Sequence, residues 1–374
     1  MKIGIITMHR VLNYGSALQA YALQKYIEKT TGEDVYIIDY FFPNTYHKSQ
    51  ITVKKIIRNI LGVSHDYLVG GRFRRIRRFK DFYHSFLKLS SREYHTPMSL
   101  KENPPDGDLF ITGSDQVWNV FTMKNDGSFY LDFVPEGKNR IAFGASFAIK
   151  EIPIQYHTQI RDYLFKYSAV GIRERSGYEF VNTLNLPQKI ELKNTCDPTL
   201  LLSSDEYHSI AAKSKLQIDG DYILVYMLNY AFNSKPAITD ATRLAANHYG
   251  CNVVLIGVNH LSYEGKMIYK NDFGPSEFCW LFEHAKYVVT SSFHGTMFSI
   301  IYRKPFISIV PAEGKDSRQT DLLTQIGLEK CAWPSNKKVD ETMLDNPYDK
   351  EVEKKLTIFL KESKEFLKRN IKHV

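Results

Sequence analysis

The stretch Tyr287-Val288-Val289-Thr290-Ser291-Ser292-Phe293-His294-Gly295-Thr296-Met297-Phe298-Ser299-Ile300 decides how the chain is read. A short run rich in β-branched residues meets two serines, then Phe-His-Gly, then apolar residues at helical spacing. This order predicts a strand, a tight turn and a helix start. At such a junction the first helical N–H groups lack intrahelical partners and the helix dipole is positive, so an anion is favoured. His294 stands at that spot. A serine-capped helix with a packed histidine accounts for these residues equally well, so the rest of the chain must decide.

Moving toward the N-terminus, the same alternation recurs. Residues 3–7 predict a strand, Asn13-Tyr14-Gly15-Ser16 a turn, 17–27 a helix and 35–40 a second strand, which together make a βαβ unit and call for a parallel sheet. Strands follow at 109–112, 141–147 and 169–173, with helices at 155–167 and through Phe180. The polar segment 203–220 reads as a linker. A second series then starts, with strands at 222–228, 253–257, 287–290 and 305–310 and helices at 236–249, 277–285 and 318–328. This order predicts an α/β protein of two Rossmann-like domains facing a cleft. The boundaries expected are 1–205 for the first domain, 206–345 for the second, and 346–374 for a closing helix that packs back on the first.

Residues 51–89 interrupt the first series with ten Lys or Arg against two Asp, interleaved with Phe73, Ile76, Phe79, Phe82 and Phe86. Two readings compete: a helix covering the domain edge, and a basic amphipathic helix on an anionic membrane surface. Nucleic acid is not expected as a partner, because no nucleic-acid motif accompanies the charge.

At 374 residues, 43% hydrophobic and 24% charged, the chain has the composition of a folded two-domain protein. Its apolar N-terminal run is too short for a signal peptide and reads as a buried first strand, so the expected location is cytoplasmic, with peripheral attachment to the inner membrane face left open. The net charge of +8 favours anionic partners. Cys196, Cys251, Cys279 and Cys331 are widely spaced and have neither disulfide nor zinc-ligand spacing. No metal is expected. Asp106-Gly107-Asp108 and Asp219-Gly220-Asp221 resemble a metal-binding Asp-x-Asp, yet each precedes a strand and reads as a turn. The chain carries no P-loop, dinucleotide fingerprint, H-E-x-x-H or G-x-S-x-G.

Ligands of open parallel sheets bind beyond the carboxyl ends of the strands. That rule selects Asn13, Tyr14, Asp115, Gln116, Asn119, Ser146, Arg173 and Glu174 in the first domain, and Ser291, Ser292 and His294 in the second. Arg173 ends one strand and Arg318 opens the helix after another. Two guanidinium groups and a histidine at strand ends fit a compact anionic ligand.

Asn13-Tyr14-Gly15-Ser16-x-Leu18-Gln19-Ala20-Tyr21-Ala22-Leu23, Gly113-Ser114-Asp115-Gln116-Val117-Trp118-Asn119, Arg173-Glu174, Asp197-Pro198-Thr199-Leu200-Leu201, Gly274-Pro275-x-Glu277-Phe278 and Ser292-Phe293-His294-Gly295 come in this order along the chain. In these motifs the sequence resembles the polysaccharide pyruvyl transferases over roughly residues 3–330. The resemblance implies an architecture similar to the B-type glycosyltransferases and phosphoenolpyruvate as donor co-substrate, with no further cofactor. It also implies a sugar hydroxyl pair as acceptor, in work on capsule, exopolysaccharide or cell-wall glycans or their lipid-linked precursors.

Carried over position by position, the resemblance makes His294 the catalytic histidine and Arg173 a donor-binding arginine. Some relatives have arginine where Ser292 stands, which raises the weight on Arg173 and Arg318. The expected site therefore has His294 and Asp115 as acid–base residues. Arg173, Ser292, Phe293, Gly295 and Arg318 are expected around the donor, and Asn13, Tyr14, Gln116, Asn119 and Ser146 around the acceptor. For Asp115, capping of the following helix is an equally good explanation. The alternatives are a glycosyltransferase that uses a nucleotide sugar and a non-catalytic subunit of a polysaccharide assembly complex.

Overall fold

The structure is a computed structural model, and it describes residues 1–42, 71–228, 232–257, 261–312 and 318–372. The first parallel sheet is built from β1 (Lys2–Ile6), β2 (Asp34–Tyr40), β3 (Leu89–Tyr94), β4 (Leu109–Thr112), β5 (Asn139–Ala145), β6 (Ala169–Ile172) and β7 (Glu191–Asn194). Its order is β3-β2-β1-β4-β5-β6-β7. Helices α1 (Tyr14–Thr31), α2 (Gly71–Phe86), α3 (Pro97–Glu102), α4 (His157–Leu164) and α5 (Arg175–Thr183) connect these strands. Helix α6 (Ser204–Ala211) leads to the second sheet.

That sheet contains β8 (Tyr222–Tyr226), β9 (Asn252–Ile256), β10 (Met267–Lys270), β11 (Tyr287–Thr290), β12 (Phe306–Val310) and β13 (Ala332–Pro334), in the order β10-β9-β8-β11-β12-β13. Helices α7 (Lys235–Tyr249), α8 (Pro275–His284), α9 (Phe293–Ile301) and α10 (Arg318–Gln325) alternate with it, and α11 (Lys350–Lys372) closes the chain. The strand pairs that build both sheets are parallel, so these are two Rossmann-like domains, as the alternation predicts.

In each sheet the strand order reverses beside the first strand, between β1 and β4 and between β8 and β11. Chains diverge at such a point and leave a crevice beyond the strand ends. Helix α1 lies between the two crevices and is buried on nearly every face from Tyr14 to Gln24, because it packs on its own sheet and also meets α8, α9 and α11. Its amino end is fixed by Asn13, whose Oδ1 accepts from Gly15 N at 2.9 Å, and its carboxyl end by Gly32 in the left-handed region. One continuous apolar core includes residues of both sheets, α1 and α11.

One expectation needs correction, and part of the basic stretch can be set against its two readings. Part of the segment read as a linker is helix: in α6, Tyr207, Ile210 and Ala211 are buried and the helix packs on α8. A capping box at its start, Ser203 with Glu206, offsets the polarity of the segment. In the basic stretch, residues 51–70 lie outside the described residues, but 71–86 form α2 with Phe79 and Phe82 buried in the core. Arg74 and Arg78 pair with Asp272 across the domain boundary. The apolar face of α2 therefore serves the protein interior, leaving Phe73 exposed on the other side. No helix among the described residues is long and apolar enough to cross a membrane.

Candidate active site

The strand–turn–helix stretch 287–301 forms the floor of the second crevice. Thr290 Oγ1 donates to Tyr226 O at 2.8 Å and accepts from Ser292 N, and Ser291 Oγ exchanges hydrogen bonds with the backbone of Leu228. Ser292 caps α9 by accepting from Gly295 N at 3.3 Å. Gly295 is required because a Cβ there would lie 2.1 Å from Thr290 Oγ1. These hydroxyls thus hold the turn in place. The N–H groups of Phe293 and His294 remain without acceptors among the described residues, at the positive end of a nine-residue helix.

His294 projects from this turn against the first domain. Its ring lies so close to the amino end of α1 that a Cβ on Gly15 would come within 2.0 Å of its Cγ and Nδ1. Its Nε2 is buried, makes no hydrogen bond among the described residues, and stands 3.7 Å from Asp197 Oδ2. That distance is an ion-pair contact rather than a hydrogen bond.

Asp197 follows β7 and caps the short 3₁₀ turn Pro198–Leu201. Its Oδ1 accepts from Thr199 N at 3.0 Å and Thr199 Oγ1 at 2.7 Å, and its Oδ2 accepts from Arg173 Nη1 at 2.6 Å. The carboxylate is wholly buried, which by itself would raise its pKa. The His294 ring, the Arg173 guanidinium and the Thr199 hydroxyl outweigh burial and hold it well below the usual carboxylate range.

Arg173 comes from the end of β6. Its guanidinium lies over the Phe293 ring at 4.2 Å, and its Nε and Nη2 are buried without a hydrogen-bond partner among the described residues. Nη2 is 4.0 Å from Asp115 Oδ1. Arg318 approaches the same ring at 5.7 Å, so Phe293 contacts two guanidinium groups. Asp115 has φ 73, which aspartate tolerates better than most residues. Its Oδ2 accepts from Ser16 Oγ and its Oδ1 from Gln116 N at 2.9 Å.

A narrow cleft opens beside these groups. Of the residues expected at the site, Asn13, Asp115, Gln116, Ser292, Phe293, His294 and Arg318 line it. Arg173 does not; it sits beneath the floor, covered by Phe293. Gly295 lies in the first turn of α9, under the floor. Tyr14 is wholly buried and stacks on Phe278 at 4.7 Å. Asn119 spends its Oδ1 on Phe121 N and Thr122 N. Ser146 is completely buried, and its carbonyl accepts from Trp118 N at 3.1 Å. These three follow strand ends, yet Tyr14 packs across the boundary between the domains, Asn119 holds the backbone of its own turn, and Ser146 is buried in the first domain. Glu174 holds the backbone of Phe147 and Ala148.

Sequence reasoning left Asp197 without a role, although it opens one of the motifs that carry the resemblance. β7 ends at Asn194, so the strand-end rule finds Asp197 once that strand is recognised. Gly15 was likewise quoted only as part of a turn.

The profile of the polysaccharide pyruvyl transferase family matches residues 13–312, a span that holds Asn13, Asp115, Arg173, Asp197 and His294, with Arg318 just beyond it. The chain belongs to the polysaccharide pyruvyl transferase family. No curated protein matches its sequence. Among solved structures it is similar to the UDP-GlcNAc 2-epimerase of Methanocaldococcus jannaschii, with TM-score 0.54, 13% identity and the whole of both chains covered. It is also similar to the UDP-GlcNAc 2-epimerase of Neisseria meningitidis, with TM-score 0.50, 9% identity and both chains again covered in full. At such identities the likeness is one of fold: two Rossmann-like domains arranged as in the B-type glycosyltransferases.

Proposed function

We propose that the protein transfers the enolpyruvyl group of phosphoenolpyruvate to a pair of hydroxyls on a bacterial polysaccharide or its lipid-linked precursor, closing a cyclic pyruvate ketal and releasing phosphate. The observation that carries this reading is the convergence of His294, the unpaired nitrogens of buried Arg173, and the free N–H groups at the start of α9. The donor brings two anions. In this reading its phosphate is held by the α9 amino end and Arg318, and its carboxylate by Arg173, which is reached when the Phe293 ring turns aside.

Protonation of the donor methylene carbon by His294 leaves an oxocarbenium at C2. A sugar hydroxyl adds there, and its proton passes to Asp115. The bond from C2 to the phosphate oxygen then breaks, and the second hydroxyl closes the ring while its proton leaves with phosphate. Asn13 and Gln116 line the cleft with Asp115, and in this reading they receive the sugar. The chemistry balances without a metal or redox partner.

The test is incubation with phosphoenolpyruvate and a panel of aryl or lipid-linked glycosides, followed by phosphate assay and mass spectrometry. A pyruvyl ketal on one glycoside is the expected product. His294→Ala is expected to lose about 10²- to 10⁴-fold in phosphate release; retention of most of the release would remove His294 from the mechanism. Competition by nucleoside diphosphates, with none by phosphoenolpyruvate, would point instead to a transferase that uses a nucleotide sugar.

A further inference from the structure

We infer that Asp197 is a positioning residue that turns His294 so that Nε2 carries the ring proton inward and Nδ1 is the nitrogen presented for proton transfer. The inference rests on the proposed acid–base role of His294 and adds which of its two nitrogens works and what sets that choice.

Three observations carry it. First, Nε2 is the buried nitrogen and faces a carboxylate oxygen at 3.7 Å with no other partner among the described residues. Second, that carboxylate is an acceptor on every side. Thr199 donates twice to Oδ1, Arg173 donates to Oδ2, and Ser114 Oγ lies 3.3 Å from the same Oδ2. A nitrogen facing such an oxygen is stabilised when it bears hydrogen, which leaves the lone pair of a neutral ring on Nδ1. Third, Gly15 leaves room beside the ring that a Cβ would fill, since a Cβ there would come within 2.0 Å of Cγ and Nδ1, and His294 lines the cleft while Nε2 is its buried, unpartnered nitrogen.

The charged groups around the ring are Asp197 behind it, Arg173 beyond the Phe293 ring, and Asp115 and Arg318 on the cleft walls. Arg173 and His294 share one oxygen of Asp197, so a proton gained at Nδ1 during turnover is balanced by a charge already fixed behind the ring.

The experiment reads the tautomer directly. The full chain is labelled with ¹⁵N-histidine, the His294 signals are assigned by their loss in His294→Gln, and long-range ¹H–¹⁵N correlations are recorded without any substrate. The expected result is a protonated Nε2 and a pyridine-like Nδ1 in the neutral ring. The opposite tautomer in the wild type would overturn the inference.

Asp197→Asn supplies the second arm. Its Oδ1 can still accept from Thr199, which puts Nδ2 where Oδ2 stood, so Nε2 then faces a donor. The tautomer is expected to invert, and kcat for phosphate release to fall about 10²- to 10⁴-fold. An unchanged tautomer in a folded Asp197→Asn would count against the inference. If the variant does not fold, the wild-type spectrum remains the deciding measurement. A correct tautomer in a protein that releases no phosphate from phosphoenolpyruvate would sink the proposed reaction and leave the positioning role intact.

Discussion

At the scale of single residues, the site depends on one contact that only glycine permits. Gly15 lets the His294 ring rest on the start of α1, and Gly15→Ala must push one of them away. Overpacking of this kind costs about 1–3 kcal/mol, a loss a domain pair with a continuous core can absorb. The expected outcome is a folded protein with a modestly lowered melting temperature and phosphate release reduced at least about 100-fold. Equal activity in the two proteins would show that the ring does not need this seat.

A second buried carboxylate offers a test of stability. Burial tends to raise the pKa of Asp39, but the hydrogen bonds and charges of His9 and Arg10 bring it down to about 2. A depressed folded value stabilises the protein above the unfolded pKa, and the contribution disappears as pH falls through the folded value. In denaturant titrations, the stability gap between wild type and Asp39→Asn should therefore narrow by about 2 kcal/mol as pH falls from near 4 to near 2. A gap independent of pH would contradict the pairing.

At the scale of elements, α2 shows why an amphipathic sequence does not declare which surface its apolar face meets. Phe79 is wholly buried against α1 and Tyr14, whereas Phe73 is 55% exposed. Phe79→Ala should cost about 3–5 kcal/mol in chemical denaturation, and Phe73→Ala less than about 0.5 kcal/mol. Comparable effects would mean that the helix is seated differently.

The central strands were legible because they are continuous apolar runs: β1, β4, β8 and β11 fall within a residue or two of where periodicity puts them. β3, β10 and β13 escaped notice. They are sheet edges with one neighbour each, and polar or half-buried residues there leave no two-sided hydrophobic signature. The strand-end rule places a Cα but does not say where its side chain points. That is why Asp115 and His294 reached the cleft while Tyr14, Asn119 and Ser146 turned into packing. The Arg173–Asp197–His294 cluster is a long-range meeting of three motifs, and no local pattern encodes their shared oxygen.

At the scale of the whole molecule, α11 ties the two domains together. Near its start Glu353 pairs with Arg303 of the second domain, and further along Glu362 pairs with Lys193 and Arg369 with Glu191 of the first. Exposed ion pairs contribute little; the buried contacts of Leu356, Phe359, Phe366 and Ile371 hold the helix down. Among them Ser363 Oγ accepts from Cys196 N at 2.9 Å, next to Asp197. Ser363→Ala leaves that buried N–H unpaired and should cost about 1–3 kcal/mol, visible as a lowered denaturation midpoint with an unchanged slope. No change in the midpoint would place the N–H in contact with water.

The seating of His294 has a further consequence for how such proteins can diverge. The ring belongs to one half of the chain, and its seat at Gly15 and its counter-charge at Asp197 belong to the other. Exchanging halves between relatives, by recombination in nature or by gene fusion at the bench, would preserve each sheet and still separate a key from its lock. A hybrid can work only if both parents build this junction alike.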